Sequence, residues 1–231
     1  AQGAHCINDT SAVLTGGLPA GGTYSGTAVT AGSFDPGTAG AGSHLITYTY
    51  TDGNGCVNSD TASKIVNALP VVTLAPFPDV CVDAAPLTLA GGSPTGGTYS
   101  GTGVSNDTLF TASAAGVGSH LITYSYTDGN GCANTDTSSI KVNGLPTANA
   151  GPDLSACTGG SVTLNATGGV GYAWTPSGSL VNPNSANPVA TPTATTNYVV
   201  TVTDGAGCSS TDTVVVTVVS SLTANAGLDS N

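Results

Sequence analysis

The chain has 231 residues, and only 6% are charged; its net charge of −11 comes from 13 Asp against two Lys, Lys64 and Lys141, with no Glu, Arg or Met. An acidic surface with two lysines excludes nucleic acid and anionic lipid as partners, since both need a basic stripe. Residues that stabilise exposed helix are scarce, while 33 Gly and abundant Thr and Ser favour short strands and turns.

In chain order, the elements repeat. Gly21-Gly-Thr-Tyr-Ser-Gly26 returns as Gly96-Gly-Thr-Tyr-Ser-Gly101. Residues 42–56 return 76 positions later, ending at Cys132, with Thr49 replaced by Ser125. Thr203-Asp-Gly-Ala-Gly-Cys208 stands a further 76 on. A period of this size fits small domains in series. Leu45 to Tyr50 alternates as a half-buried strand, Asp52-Gly53-Asn54-Gly55 is a hairpin turn, and Thr211 to Val219 closes the third copy. Ser161 to Ala166 alternates in the same way. Each copy also carries an aromatic after its first cysteine: Tyr24, Tyr99 and Trp174. A large core ring on the third strand of a sandwich explains all three. Trp174, with Tyr172 beside it, is in addition a candidate for stacking on a sugar.

The pattern predicts an all-β chain of three tandem immunoglobulin-like β-sandwich domains plus a C-terminal donor strand. Linkers at Leu69-Pro70 and Leu145-Pro146 set the domains at residues 1–69, 70–145 and 146–219, with an extension over 220–231. No apolar run is long enough to cross a bilayer; Val214 to Val216 is far too short. Ala1 opens no signal peptide, so a mature exported chain is expected.

Residues 157–166, Trp174-Thr-Pro176, 186–198 and Val202 to Cys208 resemble the Ig-like and PKD-like repeats of secreted Bacteroidota surface proteins. Gly-Thr-Tyr-Ser-Gly followed by Tyr-Thr-Asp-Gly-Asn-Gly-Cys resembles a sister type from the same proteins. The resemblance implies secretion, a cell-surface or filament location, adhesion or scaffolding, and no chemistry. It also makes Thr61, Thr108 and Thr213, each in an Asp-Thr-apolar triplet, candidate O-glycosylation sites. Asn8, Asn106 and Asn165 head weaker sequons.

Six cysteines in an exported chain are expected to pair: Cys6, Cys56, Cys81, Cys132, Cys157 and Cys208. Two pairings stay open. Each repeat can close its own loop of about 50 residues, for roughly 4 kcal/mol in the chain-entropy model. Alternatively the bridges are staggered: Cys6 to Cys132, Cys81 to Cys208, and Cys157 to Cys56 of a neighbouring molecule. In an Ig-type order the two cysteines of one repeat lie at opposite ends of the sandwich, more than ~20 Å apart, whereas bridged Cα atoms lie within about 7 Å.

The second and third repeats each begin with an extended segment, residues 70–80 and 146–156, and the first has five residues before Cys6. At the other end, Leu222, Thr223, Ala224, Asn225, Ala226, Gly227, Leu228 and Asp229 follow the third repeat and copy residues 147–153. The expectation is a donor strand that completes the first domain of the next copy, giving a head-to-tail homopolymer. The alternative is a fragment of a large cell-surface adhesin, a stalk or a polysaccharide binder.

No catalytic set converges. His44 and His120 hold equivalent repeat positions and read as structural, with His5 the third imidazole. Asp52-Gly-Asn54-Gly lacks the further acidic ligands and closing Glu of a calcium loop. No Glu assists Lys64 or Lys141 in an isopeptide bond. The chain is expected to be no enzyme and to hold no cofactor or metal.

Overall fold

The computed structural model describes residues 3–220; the expected donor segment, residues 222–229, lies outside the described residues. Over the described residues the chain is nearly all-β. Its strands form seven sheets, joined by two single-turn helices, Pro36–Ala39 and Ala112–Ala115. By packing, the chain falls into two compact units. One holds the described residues through Phe77 with Leu87–Phe110 and Leu121–Ser139; the other holds Pro78–Pro86, Thr111–His120 and the described residues from Ile140.

The third repeat lies in the second unit. Its larger sheet runs in the order Leu154–Cys157, Ser209–Val219, Thr196–Thr203, Gly171–Thr175; its smaller sheet is Val162–Thr163, Val189–Ala190, Leu180–Val181. In a strand, alternate side chains share a face. Tyr198, Val200 and Val202 therefore point inward together, as do Val214 and Val216 opposite them. With Trp174 and Leu164 they belong to a core of eleven buried residues. Burial of each large apolar side chain is worth about 1.5–3 kcal/mol, so this core is the main stabiliser of the repeat. The Val162–Thr163 strand is shorter than the alternation predicts. Leu164 and Ala166 donate instead to the carbonyls of Pro188 and Ala186, outside the ladder.

The first repeat lies in the first unit and has the same plan. His5–Cys6, Val57–Asn67, Gly42–Thr51 and Thr23–Gly26 form one sheet; Ala12–Val13, Ser33–Phe34 and Val29–Thr30 form the other. Among the described residues its buried cluster holds Leu14, Phe34, Ile46 and Val66. The difference lies in the leading segment. Thr73–Leu74 pairs antiparallel with Gly92–Ser93, and Asn149 bridges Thr167 in the third repeat. Neither pairing has a counterpart among the described residues of the first repeat.

These paired sheets with hairpin-linked closing strands are the tandem immunoglobulin-like class expected. The two copies of the Gly-Gly-Thr-Tyr-Ser-Gly motif are also explained locally. A Cβ at Gly22 would lie 2.4 Å from Cζ of Tyr48, and one at Gly97 would lie 2.3 Å from the Ser125 carbonyl oxygen. The repeated Gly-Gly-Thr-Tyr thus reflects close packing of backbone on a tyrosine-bearing strand.

Candidate functional site

Two positions on the closing strand grip the leading segment in the second and third repeats. They are two residues apart, hence on one face. In the second repeat Asn134 Nδ2 donates to the Pro70 carbonyl at 3.0 Å, and Asp136 Oδ2 accepts the Leu74 N–H at 2.7 Å. In the third, Ser210 Oγ donates to the Pro146 carbonyl at 2.5 Å, and Asp212 Oδ2 accepts the Ala150 N–H at 2.8 Å. The first repeat carries the same grip as Asn58 and Asp60. Both are exposed, and among the described residues no group bonds Asn58 Nδ2 or Asp60 Oδ2.

Beside that grip lies a groove of about 490 Å³, lined by Leu14, Gly17, Tyr24, Ile46, Tyr48 and Lys64 together with Asp60. Its floor is already built. The rings of Tyr24 and Tyr48 sit 4.8 Å apart, as do those of Tyr99 and Tyr124. Tyr48 accepts the Gly22 N–H and donates to the Pro19 carbonyl, both at 2.6 Å; Tyr124 does the same with Gly97 and Pro94. The cover is what differs. In the second repeat Val72 and Leu74 are buried, and Tyr99 and Tyr124 keep only 7% and 2% exposure; Tyr24 and Tyr48 are half-buried.

Lys64 occupies a position that is Ile140 and Val216 in the other repeats, both fully buried. It is the one buried charged residue among those described, at 6% exposure. Its Nζ lies 2.9 Å from Nε2 of His5, whose Nδ1 lies 3.4 Å from Asp9. Burial pulls the ammonium below the ordinary lysine value. Lys141, by contrast, is exposed and 4.0 Å from Asp79.

The proposed sugar-stacking residue is corrected by its burial. Trp174 is 2% exposed, packed in the third repeat's core, and its Nε1 donates to the Ser185 carbonyl. No ring face is open to a ligand. The Asp52 turn is likewise occupied: Oδ1 accepts the N–H groups of Cys56 and Asn54, which hold its carboxyl below the ordinary value. Asp128 makes the same bonds to Cys132 and Asn130, and Asp204 to Cys208 and Ala206. His44 and His120 bond the Gly40 and Gly116 carbonyls at 2.8 Å, just past the single-turn helices. Thr61, Thr108 and Thr213 are all exposed, as a modified hydroxyl must be.

Among the cysteines, the structure holds Cys6–Cys132 and Cys81–Cys208, with Cα separations of 5.5 and 5.6 Å. Each bridge joins the first cysteine of one repeat to the second cysteine of the next. Cys56 and Cys157 are free and exposed. The grip and groove were missed as a site by sequence reading, although Asn58, Asn134, Asp60, Asp136 and Asp212 recur at the 76-residue spacing that could have marked them.

No family model and no curated protein matches the chain. Solved structures do match in outline. A three-domain fragment of titin, I67–I69, is 14% identical, with a TM-score of 0.37 over 94% of this chain and 95% of that one. A calcium-stabilised adhesin with which an Antarctic bacterium binds ice is 17% identical, with a TM-score of 0.33 over 83% of this chain. The insect immune protein hemolin is 14% identical, with a TM-score of 0.32 over 76%. The chain spans 60% and 56% of the adhesin and hemolin chains respectively. Likeness at that level carries no argument here.

Proposed function

We propose that the chain is a structural, non-enzymatic subunit of an extracellular filament, joined head to tail by strand donation. Residues 222–229 of one copy enter the first-repeat groove of the next. The observation that carries this reading is the grip of Asn58 and Asp60, which no described residue fills, over a finished tyrosine floor. Register follows from the 76-residue spacing. Ala224 and Ala226 take the places of Ala148 and Ala150, the Ala226 N–H reaches Asp60, and the Leu222 carbonyl reaches Asn58. An added strand gains affinity chiefly from main-chain hydrogen bonds, which alanines supply as well as leucines do.

A groove filled in this way also removes an open sheet edge, otherwise a template for aggregation. Donor and acceptor are different surfaces, so the contact propagates and does not close a dimer. The three domains at residues 1–69, 70–145 and 146–219 then separate acceptor from donor along the chain. A surface location outside the cell follows, where bridges such as Cys6–Cys132 persist.

Deletion of residues 221–231 is the test. Purified full chain is expected to form fibres by negative-stain electron microscopy, and the deleted chain to stay monomeric by size-exclusion chromatography. Fibres that survive the deletion, or a full chain that remains monomeric at high concentration, would sink the proposal and leave the adhesin-stalk reading in its place.

A further inference from the structure

Cys56 and Cys157 are held in the same local frames as the cysteines that are bonded. The Cys56 N–H donates to Asp52 Oδ1 at 2.8 Å; those of Cys132 and Cys208 donate to Asp128 and Asp204 at 2.9 Å. Cys157 lies in parallel register with Val219, as Cys81 does with Asn143 and Cys6 with Asn67. Its carbonyl accepts the Gly160 N–H, just as the Cys81 and Cys6 carbonyls accept those of Ala84 and Asp9. Neither frame depends on the bridge being formed, since both are complete around free thiols.

Both existing bridges obey one rule: the first cysteine of a repeat bonds the second cysteine of the repeat after it. Among the described residues, that rule finds no second cysteine of a following repeat for Cys157 and no first cysteine of a preceding one for Cys56. Donation of residues 222–229 makes the first repeat of the next copy the follower of the third. We infer that Cys157 of one copy and Cys56 of the next form a disulfide that covalently locks each joint. The lock rests on the strand-donation reading, because the strand brings the two thiols together.

The chemistry balances through thiol–disulfide exchange with an external low-molecular-weight disulfide. The Cys157 sulfur attacks that disulfide, a mixed disulfide forms, and one small thiol leaves. Cys56 of the neighbour then attacks the Cys157 sulfur, the protein bridge forms, and a second small thiol leaves. Two protein thiols are oxidised, and one external disulfide is reduced to two thiols.

Single variants Cys56→Ser and Cys157→Ser, assembled alone or mixed before assembly, in each case under an oxidised thiol buffer, test the lock on a denaturing gel without reductant. The mixture is expected to give a reducible dimer of twice the chain mass, and neither variant alone to give any. Wild type is expected to give a ladder of chain multiples. A dimer from one variant alone, or fibres whose chains all run as monomers, overturns the lock. The double variant separates the two readings: its fibres, seen by microscopy with no ladder, leave strand donation standing without help from sulfur. Wild-type chain showing neither fibres nor ladder overturns both. A ladder from chain deleted of residues 221–231 overturns the dependence of the lock on the strand.

Discussion

Asp212 ties the leading segment of its repeat to the closing strand through one carboxylate. The Ala150 N–H, and after it the Thr213 N–H, bonds the ionised form and holds its pKa below the ordinary 3.8. A carboxylate with a depressed folded pKa stabilises the fold at pH values above the unfolded value, and that contribution is lost as pH falls through the folded one. Stability of the wild-type chain should therefore decline below about pH 4, and Asp212→Asn should flatten that part of the acid limb. Urea midpoints at pH 6 and pH 3 check this; equal losses in variant and wild type would refute it. At this scale the sequence was legible where residues recur. Asp52 was read as a turn residue and is one, and Asp128, 76 positions on, makes the same turn. Trp174 was ambiguous, because spacing marks an aromatic position without saying whether its face is covered. Three-dimensional neighbours such as Leu164 and Val214, remote in sequence, decide that.

Among elements, hairpins and closing strands were legible because alternation and Asp-Gly turns are local properties. The bridges were legible in part: composition left two pairings open, and an Ig-type strand order, which sets the two cysteines of one repeat at opposite ends of a sandwich, pointed to the staggered one. The pairing found crosses repeats, with separations of 126 and 127 residues. In the chain-entropy model a loop that long is worth about 5 kcal/mol, more than a within-repeat loop. Replacing Cys81 and Cys208 together with Ser should lower the unfolding free energy by several kcal/mol, read from guanidinium denaturation with reductant absent. A loss below about 1 kcal/mol would mean that the leading segments and their grips, Asp136 on Leu74 and Asp212 on Ala150, carry the repeats unaided. The Tyr24–Tyr48 floor was not legible, because the stacking of the two rings depends on the register in which Thr23–Gly26 pairs with Gly42–Thr51.

For the whole molecule, charge sets the conditions under which copies can meet. Each carries −11, and the described cations are Lys64, buried, and Lys141, near Asp79. No basic patch exists to attract an acidic neighbour, so approach of one copy to another is opposed by like charge. Such repulsion between exposed groups is screened over about 10 Å at 0.1 M salt and over about 30 Å at 0.01 M. The proposed strand contact would rest on main-chain hydrogen bonds and apolar cover, which salt scarcely weakens. Elongation should consequently speed up as ionic strength rises. Fibre growth followed by light scattering at about 10 mM and about 300 mM sodium chloride is expected to be several-fold faster at the higher salt, since repulsion slows encounter without altering the docked state. Slower growth at high salt would mean that the joint is held by attraction between opposite charges. Asp60 would then be gripping a cation and not the N–H of Ala226, and the register assigned to the donated strand would fall.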